Sequence, residues 1–306
     1  MKKITLSCLL MILSFSFSYG CDICGCGLGN NYLGILPEFQ KHIIGFRFRY
    51  NSLRTHLGVG GTTSYLTNTE SYATGELWGG WNLHQNLRLM FNLPYSFNTR
   101  ENTTTHIQKN GLGDMSVQLY YALIQQRKTL HHHLFVQSLW VGTGIKLPTG
   151  QYNPADKNSS TQSTNLFQLG TGSTDFTMNI MYDARLQDAG INISATYKIN
   201  TTNTYGYRYG NKFSTTAQLY YKFRIANSLT LAPNTGIQYE NSSLDTDQNF
   251  SVDVSGGKLL LGTVGAEANI KKIALGANWQ TPLTQNLANG FVKANNRIMV
   301  HVAFMF

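Results

Sequence analysis

Over residues 297–306, RIMVHVAFMF, Ile298, Val300, Val302, Phe304 and Phe306 form an unbroken every-other-residue apolar row, and Met299, His301, Ala303 and Met305 form a mixed row between them. A period of two belongs to a strand with two unlike faces. At the free edge of a soluble sheet such a strand would invite aggregation. In a closed membrane barrel the apolar row faces lipid, the mixed row faces the lumen, and the last strand pairs with the first. The alternation recurs upstream. Phe46, Phe48 and Tyr50 alternate with Arg47 and Arg49; Leu89, Phe91, Leu93 and Tyr95 with Arg88, Met90 and Asn92; Val117, Leu119, Tyr121 and Leu123 with Ser116, Gln118 and Tyr120. Further on, Phe176, Met178 and Ile180 oppose Asp175, Thr177 and Asp183; Ile191, Ile193 and Tyr197 oppose Asn192, Ser194 and Lys198; Phe213, Leu219 and Tyr221 oppose Thr216, Lys222 and Arg224. Less regular segments around 72–82, 134–146, 229–240, 259–270 and 273–281 bring the expected count to twelve strands.

The connections alternate as well. Short links lie near 84–86, 126–130, 187–190, 226–228 and 271–272, and long polar ones at 51–71, 98–113, 149–173, 202–211, 241–256 and 284–295. Outer-membrane barrels pair short periplasmic turns with long outer loops. The pattern therefore predicts an all-β, antiparallel transmembrane barrel of about twelve strands over 41–306, with both termini periplasmic, in the outer membrane of a Gram-negative bacterium. A soluble sandwich or lipocalin-like barrel is the competing fold. The terminal strand resembles the closing strand of bacterial outer-membrane barrels, whose C-terminal aromatic is read by the insertion machinery. That resemblance makes the machinery and the outer-membrane lipids expected partners.

Composition agrees. Charged residues are 13%, against about 25% in ordinary domains, and the polarity comes from Asn, Thr, Ser and Gln beside 29 Gly, 17 Tyr and 16 Phe. These are strand and turn formers. Lys2 and Lys3, the apolar run 4–17 and then Ser18-Tyr19-Gly20 read as a signal peptide over 1–20. Beyond it no apolar run of about 20 residues exists to form a membrane helix. Lys and Arg are scattered rather than clustered, which argues against nucleic-acid binding. The four Trp, at 78, 81, 140 and 279, and Tyr95, Tyr197 and Tyr221 fall in proposed strands, where interfacial girdles would use them.

Around the fifth strand the sequence reads GTGIKLPTGQYN, and later LFQLGTGSTDF. Lys146-Leu147-Pro148-Thr149-Gly150 together with Gly170-Thr171-Gly172-Ser173-Thr174-Asp175 resembles the signature loop of the phenol-degradation meta-pathway family of transporter barrels. The motif covers about 142–176, and the barrel pattern extends the likeness over most of the mature chain. The resemblance implies an outer-membrane barrel that passes small, often apolar, molecules.

The segment 21–40 departs from a plain barrel. After processing, Cys21, Cys24 and Cys26 remain, an odd number. Three readings stand: a soft-metal site for Cu(I) or Zn(II), with Asp22 or His42 as fourth ligand; lipidation of Cys21, since Ser18-Tyr19-Gly20-Cys21 is a loose lipobox; or one disulfide with a spare thiol. Tyr32, Leu33, Ile35, Leu36 and Phe39 follow at near-helical spacing and suggest a plug entering the lumen from the periplasm. His131, His132 and His133 read as a solvated turn.

The inward rows carry Arg47, Arg49, Arg88, Lys198, Lys222 and Arg224 against Asp114, Asp175, Asp183 and Glu240. Such charges need partners when buried and can form a constriction that selects solutes. No Gly-x-Ser-x-Gly elbow, catalytic triad or paired-carboxylate constellation occurs, and His301 has no motif around it, so no enzyme is expected. The expected function is a channel or transporter for a small solute, gated by the Cys-containing segment. The alternative is a non-conducting barrel that anchors a soft-metal or redox protein.

Overall fold

The structure is a computed structural model and describes residues 41–130, 133–156, 165–226 and 228–306. Its strands, in chain order, are β1 (Ile43–Thr55), β2 (Asn68–His84), β3 (Leu87–Glu101), β4 (His106–Leu112), β5 (Ser116–Leu130) and β6 (His133–Lys146). There follow β7 (Asp175–Leu186), β8 (Ala189–Ile199), β9 (Tyr207–Arg208), β10 (Lys212–Tyr221), β11 (Phe223–Ala226) and β12 (Leu229–Ser242). The last five are β13 (Asp245–Asp247), β14 (Phe250–Val252), β15 (Gly257–Ile270), β16 (Ile273–Leu287) and β17 (Lys293–Met305).

Neighbouring long strands pair antiparallel in chain order, and the closing strand pairs back onto the first, with Ile43 opposite Met305, Arg47 opposite His301 and Tyr50 opposite Ile298. The result is a closed antiparallel barrel of twelve strands, as the alternation predicts. Two wall strands are interrupted. β10 and β11 are one strand broken at Lys222, both pairing with β12. β4 and β5 both lie against β3, β4 on residues 95–101 and β5 on 87–92, and the chain between them steps inward at Asp114. Outside the barrel, β9, β13 and β14 form a small sheet over the long connections.

The apolar rows face outward. Phe46, Phe48, Leu77, Phe97, Ile180, Leu219, Val300 and Phe304 all keep large exposed surfaces, while the residues between them are buried or half-buried. Trp81 and Trp279 join this outer surface, as do Tyr95, Tyr197 and Tyr221. Trp78 and Trp140 do not: they point inward and are buried, so only half of the tryptophans fit a girdle.

The stretch 126–130, expected to be a short link, is strand instead, since β5 continues to Leu130. His133 opens β6 and is exposed, and His131 and His132 lie outside the described residues. The connections 51–71 and 98–113 are shorter than expected, because β1, β2 and β3 run on to Thr55, Asn68 and Glu101. The last long connection shrinks to 288–292. In each case the ladder continues beyond the apolar belt, where outward residues turn polar and the contrast between faces fades.

Candidate functional site in the barrel lumen

The described parts of the connection between β6 and β7, 147–156 and 165–174, bend back into the barrel end where the long loops gather, and the sequence motif explains how they are held. Lys146, the last residue of β6, and Asp175, the first of β7, are register partners with fully buried side chains, 2.9 Å apart. The same ammonium lies 2.5 Å from Asp114, donates to the Ser173 carbonyl at 3.0 Å, and bonds Thr171 Oγ1. Asp114 accepts the backbone N–H of Gly150 at 3.0 Å and of Thr171 at 2.9 Å. Asp175 accepts from Ser173 Oγ at 2.8 Å and Thr201 N–H at 3.0 Å, with Lys198 3.4 Å away. Two carboxylates and two lysines thus share one buried cluster in which neutral donors also serve both carboxylates, while Asp175 Oδ2 and Lys198 Nζ are met by ion pairing alone.

The two halves of the motif meet at their glycines. A Cβ on Gly170 would lie 2.5 Å from both Asp114 Oδ1 and the Gly150 carbonyl, and one on Gly150 would lie 2.8 Å from the Gly170 Cα. Only backbone fits there. Thr149 completes the clasp, accepting Met115 N–H and donating to the Gly113 carbonyl, both at 2.8 Å.

So anchored, the stretch 165–169 fills the long-loop end of the lumen. Leu166 and Phe167 pack against Leu53, Tyr72, Leu259, Leu261, Leu287 and Val292, inward residues of the surrounding wall and rim. The Phe167 ring lies 4.4 Å from the Arg100 guanidinium and 4.8 Å from the Lys109 ammonium, with Tyr72 edge-on at 6.5 Å. Cations against a desolvated aromatic face are attractive. Gln168 ties the stretch to 153 through paired 2.9 Å bonds, accepting Asn153 N–H and donating to its carbonyl. Lys109 donates to the Phe167 carbonyl at 2.7 Å and pairs with Asp156.

Beneath this apolar lid the lumen is polar and charged. Three fully buried glutamates each hold arginines: Glu70 with Arg100 at 2.8 Å, Glu240 with Arg297 at 2.8 Å and Lys212 at 3.5 Å, and Glu76 with Arg47 at 3.4 Å and with Arg49. Of these groups Arg47, Arg49 and Glu240 are read from the sequence. Glu70, Glu76, Arg100, Lys212 and Arg297 are found only in the structure, as is the burial of Lys146, which the sequence gives only as part of the motif. Glu70 and Glu76 share an inward row with Tyr72, Thr74 and Trp78, a parity readable in β2 once it is extended to Asn68.

Toward the opposite end the lumen becomes aromatic and apolar, with Ile43, Trp78, Met90, Tyr120, Trp140, Met181 and Met305 packed together. Arg47 stacks over Trp78 at 5.0 Å, and Trp78 meets His301 edge-on at 6.3 Å. Gly276 leaves the room the His301 ring occupies, since a Cβ there would come within 2.2 Å of it. At the boundary between the polar and aromatic layers lies a small cleft, with a cavity of about 20 Å³, lined by Arg47, Trp78, Met90, Asn92, Ser116 and Gln118. It offers an apolar floor and a hydrogen-bonding roof.

The remaining sequence candidates fall as follows. Arg88 is buried and donates to the Lys41 carbonyl at 3.2 Å and to Asn82 Oδ1 at 3.3 Å. Asp183 accepts from the Tyr220 hydroxyl at 3.0 Å, and Lys222 lies 5.4 Å from the Tyr220 ring. Arg224 keeps the inward parity, since β11 holds the register of β10 against β12, but it stands at the short-turn end of the wall, where its side chain is 62% exposed and pairs with Asp188 at 2.8 Å. His42 accepts Asn82 N–H through Nδ1 at 3.1 Å and stacks on Trp81 at 4.5 Å. Cys21, Cys24 and Cys26 lie outside the described residues. Among the described residues no group of three or more His, Cys, Asp or Glu could hold a metal ion.

Solved structures with this architecture are outer-membrane proteins. An outer membrane channel from Pseudomonas putida superposes with a TM-score of 0.64 at 15% identity, covering 92% of this chain and all of that one. The transport unit of the autotransporter AIDA-I from Escherichia coli gives 0.49 at 10% identity, over 92% of this chain and 95% of that one. No curated protein matches the sequence. At 15% identity the likeness to the Pseudomonas putida channel establishes the fold. Membership comes from sequence, since residues 45–295 match a family model described as "Putative MetA-pathway of phenol degradation". With its signature loop and its twelve-stranded barrel, the chain belongs to that phenol-degradation pathway family.

Proposed function

We propose that the protein is an outer-membrane channel for a small solute with an apolar body and a polar group, and that it has no enzymatic activity. The layered lumen supports this reading: an apolar lid at Phe167, a belt of buried ion pairs, and an amphipathic cleft between Arg47 and Trp78. A structural barrel needs none of these, whereas a solute crossing it would exchange water for apolar wall, be selected by fixed charges, and pass a cleft with one apolar and one hydrogen-bonding side. The outer face of the lumen is the one with the long connections, and both chain ends lie in the periplasm. In this reading the segment 21–40 gates the inner end, with Cys21, Cys24 and Cys26 coupling it to Cu(I) or Zn(II) or to redox state.

Liposome swelling across sugars, aromatic acids and metal complexes tests the solute class, with aromatic acids expected to enter fastest. Equal silence toward all of them would favour a barrel that only anchors a thiol site. That second reading has its own measurement: the mature protein should bind about one Cu(I) or Zn(II), and lose it on replacement of the cysteines by serine. A diacylglyceryl adduct on Cys21 in the intact mass would give the lipoprotein reading instead.

A further inference from the structure

Charges at the long-loop rim are sorted by sector. Around β6, β7 and β8 the cations Lys146 and Lys198 turn inward, and the outward positions beside them are Ile145, Phe176 and Tyr197. Around β15, β16, β17 and β1 the order is reversed. Arg54 and Lys293 are direct register partners, both exposed, while Leu53, Thr55, Val292 and Ala294 on either side of them are buried inward. Gln285 of β16 brackets Ala294, accepting its N–H at 2.6 Å and donating to its carbonyl at 3.1 Å, which sets Asn286 beside Lys293. Asn286 is in turn the register partner of Lys258, whose chain neighbour Leu259 is fully buried. Lys258, Asn286, Lys293 and Arg54 therefore form one outward row across four strands.

Like charges directly opposed on an antiparallel pair repel, and neither Arg54 nor Lys293 has an ion-pair partner among the described residues. Glu101, outward on β3, is taken by His106 at 2.9 Å. Below the row run the lipid-facing ladders of Tyr50, Phe48 and Phe46 on β1 and of Ile298, Val300 and Val302 on β17. Arg54 is four residues beyond Tyr50, about 13 Å along the strand, or on the order of 10 Å along the membrane normal for a tilt of about 40°. The cations thus stand at headgroup level, directly above an acyl-chain surface.

We propose that Arg54, Lys293 and Lys258 seat the phosphorylated headgroup of an outer-leaflet glycolipid, with its acyl chains lying along the two ladders. Guanidinium binds phosphate through paired hydrogen bonds and lysine adds a point charge. Three strand spacings make the row about 14 Å long, too long for one phosphodiester and suited to two phosphates carried on a disaccharide. The seat rests on the orientation proposed above, which cysteine labelling of the 147–174 connection in intact cells reports independently of any lipid binding.

The test is native mass spectrometry of the full-length protein in neutral detergent, titrated with a bis-phosphorylated lipid A-type glycolipid. Wild type should bind it at least tenfold more tightly than the Arg54→Gln/Lys293→Gln double variant, with Lys258→Gln giving a smaller loss. Lys271→Gln/Lys272→Gln, which removes two cations at the opposite rim, should bind like wild type, and phosphatidylglycerol should bind wild type far more weakly. Equal affinity in wild type and the Arg54/Lys293 variant would overturn the proposal. So would an equal loss in the Lys271/Lys272 control, or phosphatidylglycerol binding as tightly as the glycolipid. All variants are read only as barrels that keep the heat-shifted mobility of the folded protein.

Discussion

The Lys146 ammonium and the Asp175 carboxylate stand 2.9 Å apart, both wholly buried, at the two ends of the longest connection in the barrel. Their pairing closes that connection at its base. With Asp114 it turns the motif into a clasp, which gives the signature loop a structural task separate from any contact with solute.

Breaking the clasp should loosen the lid without dissolving the barrel. Lys146→Met leaves Asp114 and Asp175 short of a partner, which in comparable buried pairs costs about 3–5 kcal/mol. Protease cleavage within 147–174 on intact cells should quicken by tenfold or more. Adding Asp114→Asn and Asp175→Asn removes the stranded charges and should restore part of the protection. Unchanged cleavage in Lys146→Met would show that the clasp does not hold the loop.

Gly170→Ala tests the same clasp without touching a charge. The new methyl would collide with Asp114 and with the Gly150 backbone, so the motif halves must separate and cleavage should rise as for Lys146→Met. Gly262→Ala, where a Cβ meets only Leu283 at 3.4 Å or beyond, is the matched substitution and should behave as wild type.

Phe167→Ala removes the ring that fills the space between Arg100, Lys109 and Tyr72. Emptying a buried aromatic site costs about 3–5 kcal/mol, here drawn from the packing of the lid. Hydrogen exchange at 165–169 should accelerate while that of β15 and β16 stays slow. Protection retained throughout the loop would mean that the hydrogen bonds of Gln168 and Lys109 suffice.

The rim has a pH dependence of defined sign. Burial is the main cause lowering the His56 pKa below its ordinary value, with Glu70 opposing and Arg100 reinforcing the shift. Its ring bonds Thr55 Oγ1 at 3.3 Å and Asn68 Nδ2 at 3.0 Å. Because the folded state favours the neutral ring, the contribution is complete above the unfolded value of about 6.5. It is lost as pH falls below that value toward the lowered folded pKa. Protection factors of the amides at 56–67, corrected for the pH dependence of intrinsic exchange, should therefore fall between pH 7 and pH 5, and His56→Gln should flatten the response. A profile equally steep in the variant would assign it to other groups.

The barrel was legible because lipid imposes the contrast that alternation reveals. Phe46, Phe48, Ile298 and Val300 had to be apolar, and their neighbours did not. Legibility stopped where lipid stops. Glu70 and Arg100 lie in stretches that look like loop, since outward neighbours such as Thr69 are polar too, yet the backbone ladder continues and buries them. Arg224 misleads in the opposite way, because its parity is inward as read, yet it stands at the short-turn end of the barrel, where an inward position is open to solvent. Lys146 sits in a motif whose glycines read as ordinary turn residues, and only the approach of Gly150 to Gly170 reveals what they are for.

The central claim, a channel whose outer end is closed by the Phe167 lid and whose inner end is gated by residues 21–40, is tested most directly in planar bilayers. Conductance should be small for wild type, larger for Phe167→Ala and for the deletion of 21–40 separately, and largest for the two combined. Folded barrels that remain equally silent in all four forms would contradict the claim and leave a barrel that anchors without conducting.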